Sequence, residues 1–333
     1  MPRLPATERP LATKRERSVR VATYNLYLGA DLTLIFGAQS PGHLLTQAQL
    51  VHQQLQSTNF PERAEAIAAL LVRERIDVVG LQEVARWEKG PVAADGTHEE
   101  STVWCDFLVE LLGALERTGT PYDAHAENPN FAGSGAISET EYLSVVGHNV
   151  ILVRRSSRIV VTSEVAGAFG RSLNMVTGVD NLVLNIRRGW SAIEAELEDA
   201  RWLFASTHTE AYDLRARNAQ RDELLGWLAH RRSPAVVVGD FNAKPDQVGM
   251  PSSYQDAWLV AGGNDISGDG NTCGQAPDLT NADSSLGERI DYIWVNGAEV
   301  IDCRVIGNKP ADRTAGAKLW PSDHACVLAD VVL

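Results

Sequence analysis

The sequence predicts an α/β fold, and three features of its patterning carry that expectation. Short apolar, β-rich segments alternate with amphipathic ones along the chain. Two of the apolar segments, Arg201 to Ser206 and Pro234 to Val238, carry apolar residues on both faces, as strands covered from both sides do. No internal repeat and no Pro-, Gly- or Ser-rich linker divides the chain, so residues 19–333 are expected to form one domain behind a flexible arm at 1–18.

Val19 to Asn25 reads as the first strand, followed by a loop region containing Gly29, Gly37 and Pro41-Gly42. From Glu62 to Arg75, Ala64, Ile67, Ala68 and Leu71 recur at i, i+3, i+4, i+7 and predict a helix with one buried face. The strand Ile76 to Leu81 follows directly, then a helix over Asp106 to Arg117 and a Gly-, Ser- and Asn-rich surface loop over Glu127 to Thr140. Val145 to Arg154, Arg158 to Ser163, Trp190 to Leu197 and Arg201 to Ser206 read as strands, and Leu214 to Arg232 as a helix with Leu224, Leu225 and Leu228 on its apolar stripe. After the strand Pro234 to Val238, a loop spans Ala261 to Ser285 and the strands Ile290 to Val295, Val300 to Ile306 and Ala325 to Val332 complete the pattern.

Composition narrows the function. The 333 residues are 44% apolar and 22% charged, which excludes a disordered or fibrous chain. With 30 Lys and Arg against 43 Asp and Glu, the net charge of −13 disfavours a basic face for duplex nucleic acid. Cys105, Cys273, Cys303 and Cys326 form no C-x-x-C pair, so free thiols are expected over a zinc knuckle. The first eighteen residues hold no apolar run like that of a signal peptide, and no transmembrane stretch occurs, which leaves a cytoplasmic location as the default expectation. Nothing in the sequence points to a protein partner.

The chemistry lies at strand ends. Asn25, Glu83, His208, Asp240, Asn242, Asp291, Asp323 and His324 each sit at or close to the end of an apolar strand. Taken singly, Asn25, Asp240 and Asn242 are equally readable as turn formers and Glu83 as a solvated carboxylate. Together, carboxylates and carboxamides are hard oxygen ligands for Mg²⁺, Mn²⁺ or Ca²⁺, and histidines beside acidic groups suit proton transfer.

Quoted in order, Ala22-Thr23-Tyr24-Asn25, Leu81-Gln82-Glu83-Val84, Ser206-Thr207-His208, Gly239-Asp240-Phe241-Asn242, Arg289-Ile290-Asp291-Tyr292 and Ser322-Asp323-His324 resemble the endonuclease/exonuclease/phosphatase superfamily. The resemblance implies a four-layered α/β sandwich with two central mixed β-sheets flanked by helices. It implies Glu83 as the central ligand of a divalent cation, with Asn25 and Asp323 beside it. It makes Asp240 the group that aligns or deprotonates the attacking water, Asn242 and His208 donors to the phosphate, and Asp291 the support of an imidazole network containing His324. Whether Asp240 or His324 takes the proton stays open. Leu26, Tyr27 and Leu28 follow Asn25 where apurinic-endonuclease members carry an acidic residue, so one ion, Mg²⁺ or Mn²⁺ with Ca²⁺ as a further option, is expected rather than two. His208 in place of Tyr moves the likeness towards the deoxyribonuclease, sphingomyelinase and phosphatase branches.

Asn149, and Arg188 in the group Arg187, Arg188 and Trp190, are candidates for binding substrate; Trp190 is equally readable as core. The tracts Tyr27 to Leu32 and Gly270 to Leu279, the latter with Arg289, are candidate substrate-facing loops, whereas His43, His52, His98, His125 and His230 read as surface residues. No G-x-S-x-G elbow is present, which excludes that route to a serine hydrolase. The expected activity is metal-dependent hydrolysis of a phosphodiester or phosphomonoester in a small molecule, lipid headgroup or single-stranded nucleic acid. The alternative is a repurposed scaffold that binds a ligand or performs acid–base chemistry on a non-phosphate substrate.

Overall fold

A computed structural model describes residues 14, 16–179, 182–231 and 234–333. In chain order the elements begin β1 (Ser18–Asn25), α1 (Thr33–Phe36), α2 (Pro41–Ser57), α3 (Phe60–Arg73), β2 (Val78–Pro91), β3 (Thr102–Asp106) and α4 (Phe107–Arg117). The middle of the chain supplies β4 (Tyr122–Ala136), β5 (Glu141–Arg154), β6 (Ile159–Ala168), β7 (Leu173–Val176), β8 (Val183–Ile186), β9 (Gly189–Leu197) and β10 (Ala200–His208). It closes with α5 (Leu214–Leu228), β11 (Ala235–Asp240), β12 (Gln255–Asp256), α6 (Ala257–Val260), β13 (Asp291–Asn296), β14 (Glu299–Ile306) and β15 (Cys326–Val332).

Two mixed sheets organise these elements. The first runs β14-β15-β1-β2-β5-β4 with β3 beside β2, and the second runs β12-β13-β11-β10-β9-β6. Val21, Val78 and Ile151 from the first sheet pack on Ile193, Phe204, Val236 and Ile293 from the second, forming the central apolar layer. The outer face of the first sheet is covered by α2, α3 and α4 through Val51, Ile67, Leu71 and Leu111, and that of the second by Leu224 and Leu228 of α5. Helix, sheet, sheet, helix is the expected four-layered order. The sheets approach so closely at Gly80 that an added Cβ would lie 2.5 Å from Ser206 Oγ.

Local chemistry explains the helices. The stripe Ala64, Ile67, Ala68 and Leu71 is buried as the spacing predicts. Asp106 caps α4 by accepting from the backbone N–H of Leu108 and Val109, and Asp213 caps α5 through Ala216 N–H.

Two expectations are corrected. The surface loop over Glu127 to Thr140 is instead strand through Ala136, paired with β5 and bulged between His125 and Asn128 and again between Pro129 and Ala132. Gly, Ser and Asn are poor strand formers in isolation, but a full-length partner outweighs that preference. The loop region around Pro41-Gly42 holds α2, with Ser40 as its cap, Pro41 in its first turn, and Ala48, Val51 and Leu55 facing inward. Leu214 to Arg232 ends as helix at Leu228, and Arg232 lies outside the described residues.

Most of the expected arm at 1–18 also lies outside them; Lys14 pairs with Glu299 at 2.6 Å and Arg17 with Asp199 at 2.8 Å. All four thiols are free. Among the described residues no helix is long and apolar enough to cross a membrane.

Candidate active site

Strand register gathers the polar residues. His208 ends β10 opposite Asp240, the last residue of the parallel β11, and Asp240 in turn faces Asp291, the first residue of the antiparallel β13. In the first sheet, Asn25 ends β1 at the point where the antiparallel β15 begins, so Asp323 and His324 enter beside it. Six motifs spread over three hundred residues therefore meet at one rim of the sandwich.

The groups from the second sheet are buried and cross-bonded. Asp240 accepts from Asn25 Nδ2 at 3.0 Å on Oδ2 and from the Asn242 backbone N–H at 2.8 Å on Oδ1. Burial, and then the charge of Asp291, push the Asp240 carboxyl up to about 7. His324 Nδ1 lies 2.8 Å from Asp291 Oδ2, which also accepts from Thr272 Oγ1 at 2.6 Å. Burial opposes charge on His324, yet Asp291 and its other acidic neighbours hold the imidazole well above the ordinary histidine range. His208 goes the other way: burial, then Arg188, then His324 hold it well below that range. Arg188 Nη1 sits 3.3 Å from His208 Nδ1. An arginine only donates, so Nδ1 accepts and the proton resides on Nε2, which lies 3.5 Å from Asp240 Oδ2.

The first sheet contributes carboxylates that face a cavity of about 190 Å³, whose lining includes Glu83, Asp323 and Arg188. Glu83 occupies a bulge where β2 pairing to β5 skips from Leu81 to Val84, with φ at +55°. Left-handed backbone costs a non-glycine residue about 1 kcal/mol or more. That turn aims the side chain, and Glu83 Oε2 accepts from Leu28 N–H at 2.8 Å. Asp323 is raised to about 6, chiefly by burial, with the Glu83 charge adding to it.

Beneath both loops lies Arg63 of α3, fully buried, donating to the carbonyls of Leu26 at 2.7 Å, Tyr27 at 3.2 Å, Thr58 at 3.0 Å and Pro321 at 2.9 Å. It ties the segment after Asn25 to the segment before Asp323. The helical pattern of α3 gave no sign of this, because a charged residue at its second turn reads as solvent-facing.

A family model for the endonuclease/exonuclease/phosphatase family matches residues 22–324. The chain belongs to that family. Solved family structures share its fold at low identity. An endonuclease/exonuclease/phosphatase family protein from Bacteroides thetaiotaomicron is 18% identical, with a TM-score of 0.59 over 95% of this chain and 98% of that one. A mannosyl-6-phosphatase from the same organism is 17% identical, with a TM-score of 0.56 over 95% and 100%. TDP2 from Caenorhabditis elegans is 16% identical, with a TM-score of 0.54 over 97% and 77%. A search of curated proteins gave no match.

Within this family member, Asn25, Glu83, Arg188, His208, Asp240, Asn242, Asp291, Asp323 and His324 fall at one end of the sandwich. Asn149 is placed differently: its amide is buried, with Nδ2 donating to Gly189 O at 3.0 Å and Oδ1 accepting from Asn130 Nδ2 at 3.1 Å. Asn130, which lines the cavity, went unnoticed in a stretch that reads as loop. Arg289 turns away to Asp256 and Asp265, both within 2.8 Å, while Pro277 of the same candidate loop does line the cavity. Trp190 is core.

Proposed function

We propose that the chain is a divalent-metal-dependent phosphoesterase that cleaves a phosphodiester or phosphomonoester by in-line attack of water. The observation that carries this reading is a single rim where two cavity-facing carboxylates, Glu83 and Asp323, meet the bonded set Asp240, Asp291, His208 and His324. Solved structures with this fold include a mannosyl-6-phosphatase and a D. rerio TDP2 complexed with a single-strand DNA product, which supports phosphoester chemistry in general.

The donor set fits a hard cation. Glu83 and Asp323 offer oxygen only, and two neighbouring carboxylates, one of them raised to about 6, are relieved by positive charge between them. Asn25 Oδ1 already accepts from Tyr27 N–H at 2.9 Å, and its second lone pair is the remaining donor. One Mg²⁺ or Mn²⁺ held there supplies charge neutralisation to the phosphate oxygens. Donor atoms of Asp240, Asp291 and His324 also lie within 4.8 Å of one another, a group that could hold an ion. We assign that group to proton transfer, because His324 Nδ1 is already committed to Asp291.

Asp240 is the base of choice. Its pKa of about 7 suits proton removal from water at neutral pH, whereas His324, held charged by Asp291, serves as a cationic partner for the developing phosphorane. His208 stays neutral and donates from Nε2, and Arg188 adds a fixed positive charge. Asn242 spends one amide hydrogen on Thr209 O at 2.9 Å and keeps the other for a nonbridging oxygen.

Hydrolysis of bis(4-nitrophenyl) phosphate and 4-nitrophenyl phosphate, with and without EDTA, tests the reading. Turnover should require added Mg²⁺ or Mn²⁺ and fall sharply in Glu83→Gln and His324→Ala. Turnover that survives chelation and both substitutions rejects it.

A further inference from the structure

The catalytic cavity has an apolar side. Besides Glu83 and Asp323 it is lined by Leu32 at the cap of α1, Phe36 at the end of α1 and Phe131 from β4, and Phe36 meets Tyr212 edge-on at 5.7 Å. The same three residues, Leu32, Phe36 and Phe131, also line a second cavity of about 120 Å³. Its remaining walls come from α2, β2, β4, β5 and the 182–184 segment, with Ala48, Val51, Trp87, Ile137, Leu143 and Leu184 among them. Among the described residues no charged side chain lines it. An engineered cavity of about 150 Å³ with such walls takes up benzene, so this space suits a ring or a short alkyl chain.

Charge argues against a polynucleotide here. Among the described residues Arg188 is the one Lys or Arg lining the catalytic cavity, against Asp31, Glu83 and Asp323, on a chain of net charge −13. Strands of nucleic acid need a series of Lys and Arg along the backbone track, even where aromatic rings stack on bases. A single phosphate at the polar end and a greasy group at the other match what is present.

We propose that the substrate is an amphiphilic phosphoester whose alkyl or aryl group lies against Leu32, Phe36 and Phe131 and reaches the cavity beneath α2. This rests on the phosphoesterase reading above and names its substrate class. Burial of methylene groups sets the expected signature, since each fully buried CH₂ raises binding about threefold to fourfold.

Two measurements on the full chain test it. The first is kcat/KM for 4-nitrophenyl alkyl phosphates, methyl to hexyl, with Mn²⁺. The second is calorimetric titration of methyl-, butyl- and hexylphosphonate, which cannot be hydrolysed, with and without Mn²⁺. Both should rise with chain length, by about thirtyfold or more from methyl to hexyl when three of the five added methylenes are fully buried, and exceed the response to a short oligothymidylate. Gly135→Phe places a ring in the second cavity: an added Cβ there meets nothing within 4 Å, and Gly135 lines the wall. That variant should flatten the chain-length slope, measured relative to its own methyl ester. A flat slope in the unaltered protein, an unchanged slope in Gly135→Phe, or preference for the oligothymidylate overturns the proposal while leaving phosphoester hydrolysis standing. If no ester is turned over, the hydrolase reading falls, and the phosphonate titration alone decides whether the apolar group docks. The slope in the unaltered protein stands whether or not the variant folds.

Discussion

The two sheets contribute unequally to the rim. What the second sheet offers, His208, Asp240 and Asp291, is almost wholly buried and bonded to protein, with separations fixed by strand register. What the first offers, Glu83 and Asp323, faces the cavity and leans on loops and a bulge. On the proposed function, the contrast separates rigid acid–base groups, which need no rearrangement as charge moves, from a cation seat whose geometry a bound ion would complete.

The comparison breaks most sharply at Asp240. Asp240→Asn keeps the shape of the carboxyl but not its basicity, and kcat should drop about 10³- to 10⁴-fold with KM little changed, read by steady-state kinetics at saturating metal. Glu83→Gln should act on the other half: activity about 10²-fold lower at limiting Mn²⁺, partly recovered as Mn²⁺ is raised, with the affinity measured by calorimetry. Failure of added metal to recover any activity would place Glu83 in the rigid half. Arg63→Met removes a buried cation and strands four carbonyls, so stability should fall on the order of 3 kcal/mol by denaturant unfolding. Stability should also depend on pH. Asp240 is shifted upward in the fold from 3.8 to about 7, so its stabilising share is complete below pH 3.8 and lost as pH rises through 7. Without metal, Asp240→Asn should gain stability relative to the unaltered protein across that window, followed by thermal unfolding.

The first sheet and the second also differ in how far the sequence disclosed them. Continuous apolar runs such as Ala235 to Val238 announced β11, and the acid immediately after it is where a strand end exposes a polar group. Beta-4 escaped because Asn128, Gly133, Ser134 and Gly135 advertise a turn, and only long-range pairing with β5 makes them a strand. With it were lost Asn130 and Phe131, two walls of the cleft. Arg63 was hidden for a related reason: local periodicity assigns a charged residue to solvent, while its carbonyl partners lie up to 258 positions away. Asn149, expected to bind substrate, uses one amide hydrogen on Gly189 and one lone pair on Asn130.

Tyr27, Glu83 and Asn242 all hold left-handed backbone, with φ of 58°, 55° and 46°. Each lies beside the proposed site, so part of the chain's left-handed strain sits there, while Asn59, Arg75, Ala126, Glu198, Leu279 and Lys318 carry the rest. Relaxing Glu83 or Asn242 to glycine would relieve that strain only by removing a proposed site group, and Tyr27→Gly would also empty a packed position against Leu279 and Trp320. Hardening this enzyme without that trade has to begin elsewhere, at the helices and the far ends of the sheets.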